Sequence, residues 1–165
     1  MKSLFLIRHA KSSWDEPGLT DQERPLNKRG LRDAPFMAKL LLGKALQVDG
    51  IVSSPAKRAR DTAAFFAREC NIPATRIWID PNIYHGSPAQ ILAAVRQFSN
   101  EWETALLFGH NPALTSLINL FAKEYLANLP TCGIARLESG AELWTGFGEA
   151  DTSMAELYYP KQFFS

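Results

Sequence analysis

Apolar positions in this chain come in short unbroken runs, separated by longer stretches with helical spacing. Leu4-Phe5-Leu6-Ile7 is one such run and predicts a buried strand. The polar stretch Lys11 to Asn27, which carries Pro17, Gly18 and Pro25, predicts a loop. From Lys28 to Leu42 the period changes. Leu31, Ala34, Ala38 and Leu41 fall on one helical stripe, and Pro35 is expected to kink the helix or delay its start. Ile51-Val52-Ser53 predicts a second strand. Ser54-Pro55 then predicts a helix start, with a capping hydroxyl followed by proline at the first helical position. The same pairing returns at Ser87-Pro88 and Asn111-Pro112, each after a predicted strand: Ile77 to Ile79, and Ala105 to Phe108.

Strands alternating with helices predict an α/β fold, a three-layer α/β/α sandwich around a mainly parallel central sheet. The tail differs. Gly133 to Leu137, Glu142 to Phe147 and Met154 to Tyr159 predict strands, with turns at Ser139-Gly140 and Gly148-Glu149, that add an antiparallel edge. No repeat or low-complexity tract interrupts the pattern, so residues 1–165 are expected to form a single domain.

Composition narrows the function classes. The chain is 46% hydrophobic and 21% charged, as in a globular soluble protein, and its net charge of +1 gives no global pull toward nucleic acid or an anionic membrane. A site for an anion must therefore come from a local cluster of basic groups. The run Leu4 to Ile7 is too short for a signal peptide or a membrane span, so a cytoplasmic protein is expected. The two cysteines, Cys70 and Cys132, form no CxxC pair and read as reduced packing residues.

Ligands of open α/β sheets bind beyond the carboxyl ends of the strands. Arg8-His9 ends the first predicted strand. Arg58 lies about one turn into the helix after the second, and His110 follows the strand Ala105 to Phe108. Arginine meets phosphate oxygens through a planar fork of donors, and helix amino termini add backbone N–H groups. A neutral imidazole can attack phosphorus, and neighbouring cations favour that neutral form. His9 is thus the candidate nucleophile, with Arg8, Arg58 and His110 as phosphoryl ligands. Ser53 and Asn111 are further candidate contacts.

These residues resemble the motifs of the histidine phosphatase superfamily, also called the phosphoglycerate mutase-like group. Leu6-Ile7-Arg8-His9-Ala10 resembles its signature. Ser53 to Thr62 resembles its second motif, and Gly109-His110-Asn111-Pro112 the motif of its second histidine. The short length, with Arg24-Pro25-Leu26-Asn27 and Gly30 ahead of a helix, is most similar to the SixA-type phosphohistidine phosphatases. The resemblance implies a phosphoglycerate mutase-like fold, phosphorylation of His9, and phosphoryl binding by Arg8, Arg58 and His110. It also implies no cofactor. Position 10 is alanine where the broad superfamily usually has glycine.

Many relatives carry a carboxylate that protonates the leaving oxygen. Here Asp15, Glu16, Asp80 and His85 are the candidates, and each reads more readily as a loop residue. Ester hydrolysis gains on the order of 10²–10⁴-fold from such an acid, whereas a protonated phosphohistidine expels neutral imidazole with less help. A missing acid, and a chain with little material for a lid, point to a phosphorylated protein as substrate. A phosphatase or mutase for a small phosphorylated metabolite is the first alternative, and a non-catalytic phosphate-binding module the second. Cys70 to Arg76 fits the C-x5-R spacing of cysteine-dependent phosphatases, but it runs from a helix end into a strand, contains Pro73 and has no glycine. A metal beside His9 and His110 would be repelled by Arg8 and Arg58. Trp78, Trp102 and Trp144 read as packing, while Trp14 lies where it can meet substrate.

Overall fold

The computed structural model describes residues 1–43, 45–149 and 151–164. Six strands form one sheet in the order β3-β2-β4-β1-β5-β6. They are β1 (Lys2–Arg8), β2 (Gly50–Ser53), β3 (Trp78–Ile79), β4 (Thr104–Gly109), β5 (Ile134–Ser139) and β6 (Thr152–Tyr158). β1, β2, β3 and β4 run parallel, whereas β5 and β6 pair antiparallel at one edge.

Period-two alternation in β1 splits the core into two layers. Leu4 and Leu6 face α3 (Pro88–Val95) and α4 (Ala113–Asn119), together with Ile91, Leu114 and Leu117. Phe5 and Ile7 face α1 (Lys28–Leu42) and α2 (Lys57–Glu69), with Met37, Ala38 and Phe66. The expected three-layer sandwich is the fold observed.

Several local expectations needed correction. Helix α1 begins at Lys28 and runs through Pro35. Its Asn27 side chain caps the start by accepting from the Gly30 amide, and the carbonyl that Pro35 leaves without an amide partner belongs to exposed Leu31. Leu31 is 53% exposed, so it is not on the buried stripe. Only Ser87 caps as predicted, accepting from the Gln90 amide ahead of Pro88. Ser54 lies three residues before α2, and Asn111 two before α4; both hydroxyl and amide are used elsewhere.

Glu142 to Phe147 is not a strand. Trp144 and Phe147 turn inward from a short 3₁₀ turn and are fully buried, with the Trp144 indole donating to the Trp102 carbonyl at 2.9 Å. Burying two large aromatics at the end of the core outweighs an extended edge strand here. Trp78 is 66% exposed rather than packed, because β3 is a two-residue edge strand. Both cysteines are unpaired thiols. No helix among the described residues is long and apolar enough to cross a membrane.

Candidate active site

β4 lies between β1 and β2 in the sheet, so the carboxyl ends of three parallel strands meet at one rim. That rim holds a cavity of about 210 Å³, lined among others by Arg8, His9, Arg24, Arg58, Tyr84 and His110. Four of these, Arg8, His9, Arg58 and His110, come together from the three distant segments that the sequence singled out.

The backbone around His9 is pinned from several sides. The His9 amide donates to the Gly109 carbonyl at 3.1 Å, and the Cys132 amide donates to the Arg8 and His9 carbonyls. The Ala10 amide donates to Thr62 Oγ1 at 3.0 Å, and that hydroxyl donates onward to the Arg58 carbonyl at 2.7 Å. The His9 backbone is therefore held from both sides. Its Nδ1 lies 2.8 Å from the Ala10 carbonyl, which can only accept. Nδ1 thus carries the proton, and Nε2 keeps its lone pair.

The His110 ring lies 5.1 Å from the His9 ring, centre to centre. Its Nε2 is 2.8 Å from Ser54 Oγ, which also accepts from the Ala56 amide at 3.1 Å. Ser54 thereby ties the second histidine to the loop before α2. Burial pushes the His9 imidazole down to about 4, and the Arg58, Arg8 and Arg24 guanidinium groups push the same way. Burial also brings His110 to about 3, with His9 and Arg58 adding to it. Both rings are neutral at neutral pH.

Three guanidinium groups surround them. Arg8 Nη1 donates to the Leu129 carbonyl at 3.0 Å, and its buried Nε has no acceptor among the described residues. Arg58 donates to the Asp21 carbonyl at 2.7 Å and to Asp21 Oδ2 at 3.0 Å. Arg24 reaches Asp21 Oδ1 at 3.1 Å and Ser12 Oγ at 2.5 Å, with its guanidinium 3.2 Å from the Trp14 ring centre. Tyr84 donates to Asp21 Oδ2 at 2.5 Å. The Tyr84 hydroxyl first, then the two arginines, hold the Asp21 carboxyl well below the usual carboxylate range.

Asp21, Arg24, Tyr84 and Ser54 were missed as functional residues. Arg24 stood in the Arg24-Pro25-Leu26-Asn27 string, and Ser54 was read only as a cap. Asp21 and Tyr84 come from loops without periodicity, so nothing in the pattern marked them. Ser53 does not line the cavity; it is fully buried and its hydroxyl donates to the Ser54 carbonyl. Asn111 lines it, but its amide is committed to Asn128, Leu129 and Thr115. It positions the loop rather than a ligand.

Of the candidate acids only His85 lines the cavity. Asp15 and Glu16 are exposed in the loop, and Asp80 caps a 3₁₀ turn by accepting from the Asn82 amide. The Cys70 thiol is pushed up to about 11 by burial and donates to the Phe66 carbonyl, so the C-x5-R segment holds no thiolate. No group of three or more His, Cys, Asp or Glu side chains among the described residues is arranged to hold a metal ion.

The profile of the histidine phosphatase superfamily (branch 1) matches residues 4–82. An uncharacterized protein of Picosynechococcus sp. is 30% identical over 147 residues, covering 84% of this chain and 86% of its own. Phosphohistidine phosphatase SixA of Escherichia coli is 24% identical over 116 residues, covering 70% and 71%. A candidate SixA from Nakamurella multipartitia, solved as a structure, superposes with a TM-score of 0.84 at 25% identity, covering 96% of each chain. With its ordered motifs converging on one rim of this fold, the chain belongs to the histidine phosphatase superfamily, branch 1.

Proposed function

We propose that this protein is a metal-independent phosphatase that works through a phosphohistidine at His9, and that its substrate is a phosphohistidine on another protein. His9 Nε2 attacks phosphorus while Arg8, Arg24 and Arg58 face the phosphoryl oxygens. The substrate imidazole carries a proton on its other ring nitrogen, so when the bond from phosphorus to nitrogen breaks, the electron pair leaves with a neutral imidazole. Water then attacks the phosphorylated His9. Its proton passes to neutral His110 and on to solvent, the P–N bond returns its pair to His9, and inorganic phosphate departs. Three guanidinium groups supply the positive charge that a metal supplies elsewhere, and they would repel one.

The observation that carries this reading is the anchored, neutral imidazole of His9, with its free nitrogen in a cavity of guanidinium groups. The choice of a phosphoramidate follows from the carboxylate at the site. Asp21 is locked in its ionised form by Tyr84, Arg58 and Arg24, so it has no proton to give an alkoxide leaving group. The likeness to a candidate SixA over nearly the whole chain supports the same substrate class.

The test is a comparison of kcat/KM on a phosphohistidine protein with kcat/KM on a panel of phosphate monoesters, together with trapping of the phosphoenzyme by an alkaline denaturing quench, because a phosphohistidine is lost in acid. Phosphohistidine should be preferred, and label should reach the wild type but not His9→Ala. Faster turnover of sugar phosphates overturns the substrate assignment. Label retained by His9→Ala overturns the nucleophile.

A further inference from the structure

A second groove opens beside the catalytic cavity. Arg8, Lys11 and Thr131 line both, so the two spaces adjoin. The groove measures about 590 Å³, against about 210 Å³ for the cavity.

Its charge is one-sided. Five cationic side chains line it, Arg8, Lys11, Arg29, Arg32 and Lys161, against a single carboxylate, Asp33. Asp33 is only 2% exposed and sits 3.8 Å from Arg29 and 2.8 Å from Arg32. It therefore fixes two arginines on successive turns of α1 and shows little charge to solvent. Arg29 also donates to Thr131 Oγ1 at 3.1 Å, and the Arg32 guanidinium lies 4.1 Å from the Phe164 ring centre. Lys11 and Lys161 are exposed, and their ammonium groups make no hydrogen bond or ion pair among the described residues. The exposed acidic residues Asp15, Glu16, Asp21 and Glu23 of the loop before α1 do not line the groove. The groove is thus a local cationic surface on a chain whose net charge is only +1.

A single phosphoryl group is already accommodated by the smaller cavity. A row of cations from Arg8 to Lys161, in a space nearly three times larger, suits several carboxylates in sequence. We propose that this groove binds an acidic polypeptide segment of the substrate protein, which lies along α1 and turns its phosphorylated side chain into the cavity. The assignment rests on the phosphatase reading of the neighbouring site, and binding can be measured apart from turnover.

The experiment has two arms. In the first, fluorescence anisotropy follows binding of labelled glutamate-rich and uncharged peptides to the full chain at low and high salt. The acidic peptide should bind more tightly, and salt should erase the difference, since exposed charges are screened beyond a Debye length of ~10 Å at 0.1 M. In the second, kcat/KM is measured on phosphohistidine peptides with acidic or uncharged flanks, and on p-nitrophenyl phosphate. Arg29→Gln combined with Lys161→Glu, both outside the cavity, should lower kcat/KM on the acidic peptide about tenfold through KM, equivalent to ~1.4 kcal/mol. Turnover of p-nitrophenyl phosphate should not change. If the double variant melts early, Lys161→Glu alone carries the test, because that side chain is exposed and holds no hydrogen bond or ion pair among the described residues.

Equal affinity for both peptides overturns the proposal, as does an equal loss on p-nitrophenyl phosphate. Pyrophosphate binding that Lys161→Glu weakens as much as it weakens binding of the acidic peptide would assign the groove to a small polyanion and overturn it too. Salt-sensitive binding of the acidic peptide without turnover of any substrate would keep the groove and remove the phosphatase reading.

Discussion

Acidification should destabilise this protein well before its carboxylates titrate, because two buried imidazoles must stay neutral in the fold. The unfolded chain takes up a proton on each histidine near 6.5, whereas folded His9 does so only at about 4. Between those values the unfolded state binds more protons, so stability is present above 6.5 and is lost as pH falls toward the folded value. At ~1.4 kcal/mol per pH unit, the His9 window corresponds to a loss of ~3 kcal/mol. For His110 the window extends to about 3. The charge of His9 contributes to the His110 shift, so the pair titrates as a coupled unit and the two losses do not simply add. Asp21 acts in the same direction but later, since its contribution begins to fall only as pH drops below the ordinary 3.8.

The assay is urea denaturation of wild type and His9→Asn from about pH 7.5 to about pH 4.5, which leaves the carboxylate windows largely outside the range. Wild type should lose several kcal/mol across it, and the His9→Asn curve should be shallower by roughly 2–3 kcal/mol. Asparagine retains a donor for the Ala10 carbonyl, so the comparison isolates the titration rather than the hydrogen bond. Parallel curves would refute the reasoning. They would show that the folded imidazole takes up its proton as readily as the unfolded one, and so that burial and the arginines do not hold it neutral.

Asp21→Asn removes the carboxylate shared by Arg58 and Arg24, and should lower kcat/KM on every phosphorylated substrate by about tenfold, as expected for a charge-assisted contact. Unchanged steady-state kinetics would show that the forks hold their places unaided. Ser54→Ala removes the partner of His110 Nε2 and should reduce kcat by roughly 2–10-fold, the worth of one neutral hydrogen bond; a stopped-flow measurement of phosphoenzyme breakdown checks it. Gly30→Ala would place a Cβ 2.2 Å from the Lys11 carbonyl oxygen. Overpacking of this kind costs ~1–3 kcal/mol and should lower Tm by roughly 2–12 °C in a calorimetric scan.

The parallel half of the fold was legible because its signal is local: short apolar runs, then a helix with one apolar stripe. Leu4 to Ile7 and Ala105 to Phe108 could be little else. The tail was less legible, since Trp144 and Phe147 look like strand residues but are placed by a pocket at the end of the core, which only the assembled molecule contains. The same division holds at the site. His9 and His110 directly follow strand ends, and Arg58 opens the helix after β2, where topology predicts convergence. Asp21 and Tyr84 come from two loops 63 residues apart and meet through one hydrogen bond. Neither loop has a period, and only the folded chain brings the two together.

That unpredicted carboxylate explains how the cavity tolerates its own charge. Arg8, Arg24 and Arg58 beside two neutral imidazoles would concentrate three positive charges in a small, partly buried space, and Arg24 and Arg58 are each under 9% exposed. Asp21 offsets one of them, holding Arg24 and Arg58 from one side with a different oxygen for each. Two uncompensated charges remain, the number that matches a phosphoryl dianion. The same contacts keep Asp21 ionised, so the group that balances the arginines is disabled as a proton donor. Charge balance and the lack of an acid are thus two results of one cluster, and they favour a leaving group that departs already neutral. Restoring proton donation would require a carboxyl free of arginine, and that would leave the guanidinium groups without the neighbour that holds them in place.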